Sequence, residues 1–486
     1  MGGYLKHFNL FKKLLKAGVG MLLSGIDNII ILIFVIFIVY VGYHFSKAVK
    51  DMESFYLGNR SLPWSLTVGA LVATWYGGVG TIGTVEYAAM YGLSIWAIWC
   101  VTAHIGRMPL ALWVGPRIHV RTDVTVPDLL DGVYGKGVAL VGAFLMLIYC
   151  TQFSQITAMG EIGIAWGIKP FTAGAILIVI VIIVAVLGGL MGVAVTDMVF
   201  FWCMCFGLTM VLPNQWTSVG GWVGLQHSLS ATPELLDPLG GLTFMKGLML
   251  CVLAFGVYAD PTFYQRFSAA DSPKSGRRAM LSCFLLWICF DIVLTVTGLI
   301  VKAKYPEMAP GEGYIKLVLT TLPVGVRALF IIGLAGSIVS ALDGYYLSGA
   351  ATLANDIYGR IKGDVSQKEL VLLTRVGIVL LAVIGLSVAF KFPTAQDAFI
   401  FVASIWMAAG FVPIVGALLY KGKKTPMGGY LSMFVGAGIF AYFKIFPLHV
   451  FTLEPLIAAL PLSLLAWIIG NHIGKSVERN EIREVM

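Results

Sequence analysis

The chain has 486 residues, is 58% hydrophobic and 12% charged, with mean hydropathy +0.88 and formal net charge +8. No soluble domain has this balance, and apolar runs near twenty residues recur along it, so the chain reads as an all-α polytopic membrane protein. Its basic residues gather in short loops, where they report membrane topology and not nucleic-acid binding.

Residues 1–25 mix Lys6, Lys12, Lys13 and Lys16 with Leu and Phe at helical spacing, as an amphipathic segment lying on a membrane surface does. No small-residue cleavage site follows the first apolar run, so that run, from about Ile29 to Tyr43, is expected to be retained as a leading helix within 26–50. The loop after it carries Lys47, Lys50 and Arg60. Next comes an apolar stretch from Trp64 to Met90, interrupted by Ala73-Thr-Trp-Tyr-Gly-Gly-Val-Gly80. A glycine in a helix interior costs roughly 1 kcal/mol relative to alanine, so three of them here predict a broken helix. Further spans are predicted at 93–112, 138–158, 171–190, 193–212, 243–263, 279–302, 326–354, 370–391, 397–420, 426–445 and 455–473, giving about thirteen transmembrane helices.

The basic loops are Lys47/Lys50/Arg60, Arg117/Arg121, Lys274/Arg277/Arg278, Arg360/Lys362 and Lys421/Lys423/Lys424. They follow spans one, three, seven, nine and eleven, so all can be cytoplasmic together. That places the chain in a plasma (inner) membrane with its N-terminus outside and its C-terminus in the cytoplasm. The four N-terminal lysines would then be external, which an interfacial helix tolerates.

The span at 243–263 is also interrupted, by Gly256 and then Asp260-Pro261. Five spans lie between the start of one broken helix and the start of the other, an odd number, so the two halves are inverted. Paired interruptions in corresponding helices of inverted halves mark a transporter site. The expected division is 51–213 for the first five-helix repeat, 214–242 for an extracellular loop, 243–420 for the second repeat, and 421–486 for two added helices and a cytoplasmic tail.

On the span at 326–354, Ser337, Ser340 and Ser348 recur at three- and four-residue steps around Asp343. Hydroxyls and a carboxylate facing freed carbonyls form a hard-oxygen cage suited to Na⁺, although serines in such helices often bond back to the preceding turn. A carboxylate at that depth is a functional candidate by default. Asp197 reads either as a helix cap or as a residue reaching the same cation region, and spacing favours the cap. Asp260 stands in a broken helix, and Asp291 has no partner identifiable from sequence. Gln152 and Gln155, at i,i+3 spacing, are expected on one face of their helix, as helix–helix glue or as substrate contacts. All seven cysteines (Cys100, Cys150, Cys203, Cys205, Cys251, Cys283, Cys289) lie in apolar runs, without a disulfide framework or a CxxC metal site. No GxxxxGK[ST] motif appears, so ATP drive is not expected.

The segments Tyr56-Leu-Gly-Asn-Arg-Ser-Leu62, Thr196-Asp197, Tyr264-Gln-Arg-Phe-Ser-Ala-Ala270 and Leu353-Ala-Asn-Asp-Ile-Tyr358, in this order and spacing, resemble the sodium:solute symporter family. The resemblance implies the inverted five-plus-five helix fold of the leucine-transporter type, with one extra helix in front, working by alternating access. It implies a main Na⁺ site of backbone carbonyls at Ala73 and Tyr76 together with Ser337, Ser340 and Ala341. At Ala341 a second hydroxyl usually stands, so one side-chain oxygen is missing. A second Na⁺ site in some members would fall on Asp197, with Asp343 among its neighbours. The usual glutamine after Thr-Asp is Phe200 here.

A local similarity to high-affinity choline transporters, in the Ala-Thr-Trp-x-Gly-Gly break and the Ser-x-x-Asp, would make Trp75 an aromatic face for a quaternary ammonium. A packing role for that ring is the plainer alternative. The expected solute pocket is Trp75, Gly77, Gln152, Gln155, Tyr258, Asp260, Phe263 and Trp406. The reading is thus a transporter and not an enzyme: Na⁺ as coupling ion, and as partners a small polar organic solute (a quaternary amine or a zwitterion) and the lipid bilayer. No nucleic acid and no obligate protein partner are expected. Two rivals stand beside it, a proton-coupled carrier using Asp343 and a transporter-like membrane sensor, the latter disfavoured because no signalling domain precedes Met486.

Overall fold

A computed structural model describes residues 23–121, 123, 125–446 and 454–475; the amphipathic segment expected at 1–25 lies, but for its last three residues, outside them. Among the described residues the backbone is helical between short connections, and its one sheet-type contact is an isolated bridge between Leu62 and Ala270. Helices satisfy their own backbone groups, which lipid cannot do.

Among the described residues twelve segments are long and apolar enough to cross a bilayer, one of them a bent helix pair counted as a single span. We number them α1 (Gly25–Ser46), α2 (Trp64–Trp75 with Val79–Tyr91, bent by 59°), α3 (Ile95–His119), α4 (Lys136–Trp166), α5 (Pro170–Ser218) and α6 (Phe244–Ala269). The series continues with α7 (Pro273–Lys304), α8 (Val326–Lys362), α9 (Gln367–Ala389), α10 (Ala395–Leu419), α11 (Pro426–Ile445) and α12 (Pro455–Ile473).

Helix α5 has 49 residues. Straight, it would run for about 73 Å, more than twice the roughly 30 Å hydrocarbon core. It turns instead at Gly189, where φ is 54° and ψ is −163°. A Cβ there would stand 2.8 Å from the Phe55 carbonyl oxygen, so both conformation and close approach call for glycine. The two limbs of α5 therefore cross separately, which gives thirteen crossings.

Contacts between connections sort the ends of these helices onto two faces. On one face the Met52 amide donates to Gln367 at 3.2 Å, Arg60 donates to the Arg121 carbonyl at 3.3 Å, and Arg360 pairs with Asp128 at 2.6 Å and Asp131 at 3.0 Å. The Gly189 turn lies on this face, against Phe55. On the other face Asp27 accepts from Arg327 and from the Gly325 amide, each at 2.7 Å. There too Trp166 donates to Asn28 at 2.8 Å and Lys304 to Ser218 at 2.6 Å. The basic connections after α1, α3 and α8 thus share the first face, as their charge pattern requires.

Helices α2 to α5 supply five crossings and α6 to α10 supply five more, each set led by an interrupted helix. Helix α1 precedes them, and α11 and α12 follow and pack together. Helix α8 is buried along most of its length, whereas α1 is largely exposed. Both interrupted helices come together against α8, and there the polar residues of the core collect.

Candidate functional site

The first break is built by the glycines. The helical path stops at Tyr76 (φ −86°, ψ 36°) and resumes as a wide turn at Val79–Gly83. A Cβ on Gly77 would stand 2.6 Å from Gln155 Oε1 and 2.7 Å from the Ala341 methyl. One on Gly78 would stand 2.3 Å from Ala158 Cβ and 3.0 Å from Ile338 Cγ1. The break is thus pressed between α4 and α8, closer than any side chain allows. Gly77, expected as a solute contact, is a point of helix contact.

This approach sets the Ala73 and Tyr76 region of α2 beside Ser337, Ser340 and Ala341 of α8, all of them buried. Ser340 Oγ lies 3.2 Å from Thr74 Oγ1, a hydroxyl pair across the two helices. Ser337 Oγ donates to the Leu334 carbonyl at 2.8 Å, the back-bonding that serines in membrane helices adopt. Ala341 offers no side-chain oxygen, only its backbone carbonyl, and its methyl packs directly against Gly77.

Asp197 and Asp343 lie on the side of Ser340 toward the basic face. The cap role that spacing favours for Asp197 does not hold, because Asp197 stands about two turns beyond Gly189 inside a continuous helical limb. It is fully buried and faces Arg266 of α6, with Oδ2 at 3.5 Å from the guanidinium. Arg266 also donates to Gln265 Oε1 at 2.8 Å and to Thr74 Oγ1 at 3.4 Å. Asp343 is fully buried, neither of its oxygens has a hydrogen-bond partner, and its charged neighbours are Asp197 and Arg266. A buried carboxylate left this way is strongly disfavoured without a counter-charge. Phe200, where the family's usual glutamine would stand, fills the notch at Gly336 and touches Phe34 of α1.

The second break is organised by Asp260. Its Oδ1 caps the helix Pro261–Ala269, accepting from the Thr262 amide at 2.8 Å and the Phe263 amide at 3.3 Å, and from the Thr262 hydroxyl. Its Oδ2 accepts from the Tyr149 and Tyr345 hydroxyls, each at 2.8 Å. Trp406 donates to the Ala259 carbonyl at 2.9 Å and stacks on Tyr149, its ring centre 6.1 Å away. Asp260, Tyr149, Tyr345 and Trp406 therefore form one clasp holding α4, α8 and α10 to the break in α6. Tyr258 donates to the Gly106 carbonyl at 2.8 Å, and Phe263 meets Trp75 edge-on at 5.9 Å.

The expected shared face of Gln152 and Gln155 does not form. Helix α4 is interrupted at Gln152, which adopts a left-handed conformation with φ 37°. Its amide is used locally, donating to the Tyr149 carbonyl and accepting from Ser154. Gln155 alone reaches the central cavity, with Oε1 buried and unpartnered.

That cavity, about 40 Å³, is bounded by Trp75, Tyr76, Arg107, Gln155, Asp291 and Phe399 among others. Of the expected pocket Trp75 and Gln155 line it, and its charged residues, Arg107 and Asp291, stand outside that expectation. Asp291 has partners on two other helices: it accepts from the Tyr76 hydroxyl and is bonded to His104 Nε2 at 2.7 Å. Arg107 is 1% exposed, and none of its three guanidinium nitrogens has a hydrogen-bond partner. A charged residue in the middle of the third apolar run was the available signal for it.

Comparison with known proteins agrees with this architecture. Residues 55–436 match the family model of the sodium:solute symporter family. The chain is 23% identical to the osmoregulated proline transporter of Bacillus subtilis (strain 168), over 83% of this chain and 86% of that protein. It is 24% identical to a sodium/proline symporter of Staphylococcus aureus (strain bovine RF122 / ET3-1), over 83% of each. Among solved structures it resembles a Na⁺-coupled sialic acid symporter in a substrate-bound outward-open state, with TM-score 0.79 and 15% identity over 94% of this chain and all of that one. It also resembles a nucleobase-cation-symport-1 family transporter in a closed conformation, with TM-score 0.57 and 13% identity over 85% of this chain and 94% of that one. The fold is the leucine-transporter type, an inverted five-plus-five helix repeat with one helix before it and two after it. The chain belongs to the sodium:solute symporter family.

Proposed function

We propose that this chain couples the downhill entry of Na⁺ to import of a small zwitterionic solute by alternating access. The observation that carries the reading is the pressing of the α2 break against Ser340 on α8. It brings the Thr74 and Ser340 hydroxyls within 3.2 Å of each other, buried beside the interrupted backbone of α2, which supports a place where a small hard cation finds ligands. In this reading the main Na⁺ site comprises the Ala73 and Tyr76 carbonyls with Ser337, Ser340 and the α8 backbone at Ala341. Asp197 contributes a counter-charge from α5, and Arg266 holds it in place. The clasp around Asp260 and Trp406 positions the second break, and of its members Tyr345 borders the cavity.

A zwitterion fits better than a bare quaternary amine. The Arg107 guanidinium already lies over the Trp75 ring, with Cζ 3.4 Å from its centre, so that aromatic face carries a cation of the chain's own. A second cation there meets like-charge repulsion in a medium that screens it poorly. Proline, named for the bacterial relatives, is a zwitterion of this class. The basic face is taken as cytoplasmic, with the N-terminus outside.

Charge movement on a solid-supported membrane tests the reading. Proteoliposomes perfused with a panel of small zwitterions should give inward current with Na⁺ outside and none with K⁺. Solute-evoked current in Na⁺-free buffer at acidic pH would favour a proton-coupled carrier instead. The unpartnered Asp343 carboxylate is what keeps that second reading in view. In the Na⁺ reading Asp343→Asn weakens Na⁺ dependence; in the proton reading it abolishes current at every Na⁺ concentration.

A further inference from the structure

Arg107 is unusual in what surrounds it. The guanidinium Cζ lies 3.4 Å from the Trp75 ring centre and 4.6 Å from the Trp287 ring centre. The two indoles, their ring centres 6.5 Å apart and their planes tilted by 55°, lie on adjacent sides of the guanidinium, while none of its N–H groups has a hydrogen-bond partner. Cation–π contact alone, on the order of 2 kcal/mol when desolvated, does not offset an unpaired charge buried at this depth. A guanidinium does not escape by losing its proton. The acid in the cavity, Asp291, is bonded to the Tyr76 hydroxyl and to His104; it attracts Arg107 at longer range but leaves its N–H groups without a hydrogen bond. The cavity thus holds a fixed cation whose free edges lie in one plane, and across it Gln155 Oε1, an acceptor without a donor.

We infer that Arg107 is the anchor for a carboxylate on the transported solute, received bidentately by its unpartnered N–H groups beside Trp75 and Trp287. Planar fork-to-fork pairing is what a guanidinium with unpartnered N–H groups has to offer a carboxylate. The inference rests on the symport reading and narrows it: the solute must carry a carboxylate, and its amide or a bare amine will not serve. The free Gln155 oxygen suits an N–H or O–H on the same small molecule. Until the carboxylate arrives, the unpaired charge disfavours the closed cavity, so binding itself favours closure.

The test uses the full chain in detergent, followed by thermal unfolding and tryptophan fluorescence, in sodium methanesulfonate or potassium methanesulfonate. The probes are L-proline, propionate and lactate as carboxylates, L-prolinamide and choline as controls, and chloride as a simple anion. At least one carboxylate should stabilise the protein in Na⁺, while prolinamide, choline and chloride should not. Arg107→Gln should weaken that carboxylate by about 30-fold or more, with Arg107→Lys in between. Arg107→Gln should leave the Na⁺-induced shift intact and should not lower the ligand-free unfolding temperature, which a merely structural arginine would. A Na⁺ shift with no carboxylate response overturns the anchor while the symport reading stands. So does an Arg107→Gln protein that keeps its carboxylate affinity, or one that unfolds earlier without ligand. A response to chloride alone also overturns it. Loss of any Na⁺ shift in the unsubstituted chain counts against the symport reading itself.

Discussion

Gly78→Ala adds one methyl group at the point where the α2 break meets α4. Gly78 has φ −53°, so alanine fits the backbone there and only space is at issue. The new Cβ would lie 2.3 Å from Ala158 Cβ, more than 1 Å inside the 3.4 Å where ordinary contact begins. Ala158 has no rotamer to turn away, so backbone has to move. Overpacking of this kind costs about 1–3 kcal/mol, set against at most about 1 kcal/mol gained from alanine's helix propensity. The steric term wins, and the displacement carries the Ala73 and Tyr76 carbonyls away from Ser340. A net loss of about 1–2 kcal/mol in the Na⁺-bound state raises the half-saturating Na⁺ concentration about five- to thirtyfold. Na⁺-dependent stabilisation, measured by thermal unfolding across a Na⁺ titration, reads this directly. Gly78→Ala combined with Ala158→Gly removes the colliding methyl and should recover most of the loss. An unchanged Na⁺ titration in Gly78→Ala, or no recovery in the double variant, would refute the reasoning.

Other substitutions separate parts of the site. Asp260→Ala removes the cap of Pro261–Ala269 and the acceptor of two tyrosine hydroxyls. Thermal stability should fall by about 1–2 kcal/mol from the cap alone, while the half-saturating Na⁺ concentration stays near its original value. A selective loss of solute affinity without loss of stability would show that Asp260 contacts the solute after all. Asp343→Asn should leave solute-evoked current present but less sensitive to Na⁺, read from current against Na⁺ concentration at fixed pH. Complete loss of current at saturating Na⁺ would transfer the coupling role to a proton on Asp343.

The fold was largely legible because its signals are local. Glycine clustering marked the break in α2, and Asp260-Pro261 marked the break in α6. The basic loops sorted themselves before any coordinates. Even the double crossing of α5 was visible as two apolar runs, 171–190 and 193–212, although the turn itself falls at Gly189, two residues before the gap between them. The site was legible in outline and not in its pairings. Asp197 looked like a cap because its sequence neighbours resemble a helix start, whereas its partner Arg266 comes from another repeat. Asp291 looked unpaired because Tyr76 and His104 reach it from α2 and α3. Gln152 and Gln155 seemed to share a face because helical spacing presumes a continuous helix, and the left-handed turn at Gln152 breaks it. Arg107 was the one omission with a plain sequence signal, a cation inside an apolar run, hidden by the strongly hydrophobic average around it.

The central claim is that Na⁺ binds where the α2 break meets Ser340 and that its gradient drives uptake. Solute uptake into proteoliposomes with an inward Na⁺ gradient, in the unsubstituted chain and in Ser340→Ala, tests it most directly. The account predicts uptake that requires the Na⁺ gradient and collapses in Ser340→Ala at low Na⁺. Undiminished uptake with Na⁺ replaced by K⁺, or an unaltered Na⁺ requirement in Ser340→Ala, would contradict it.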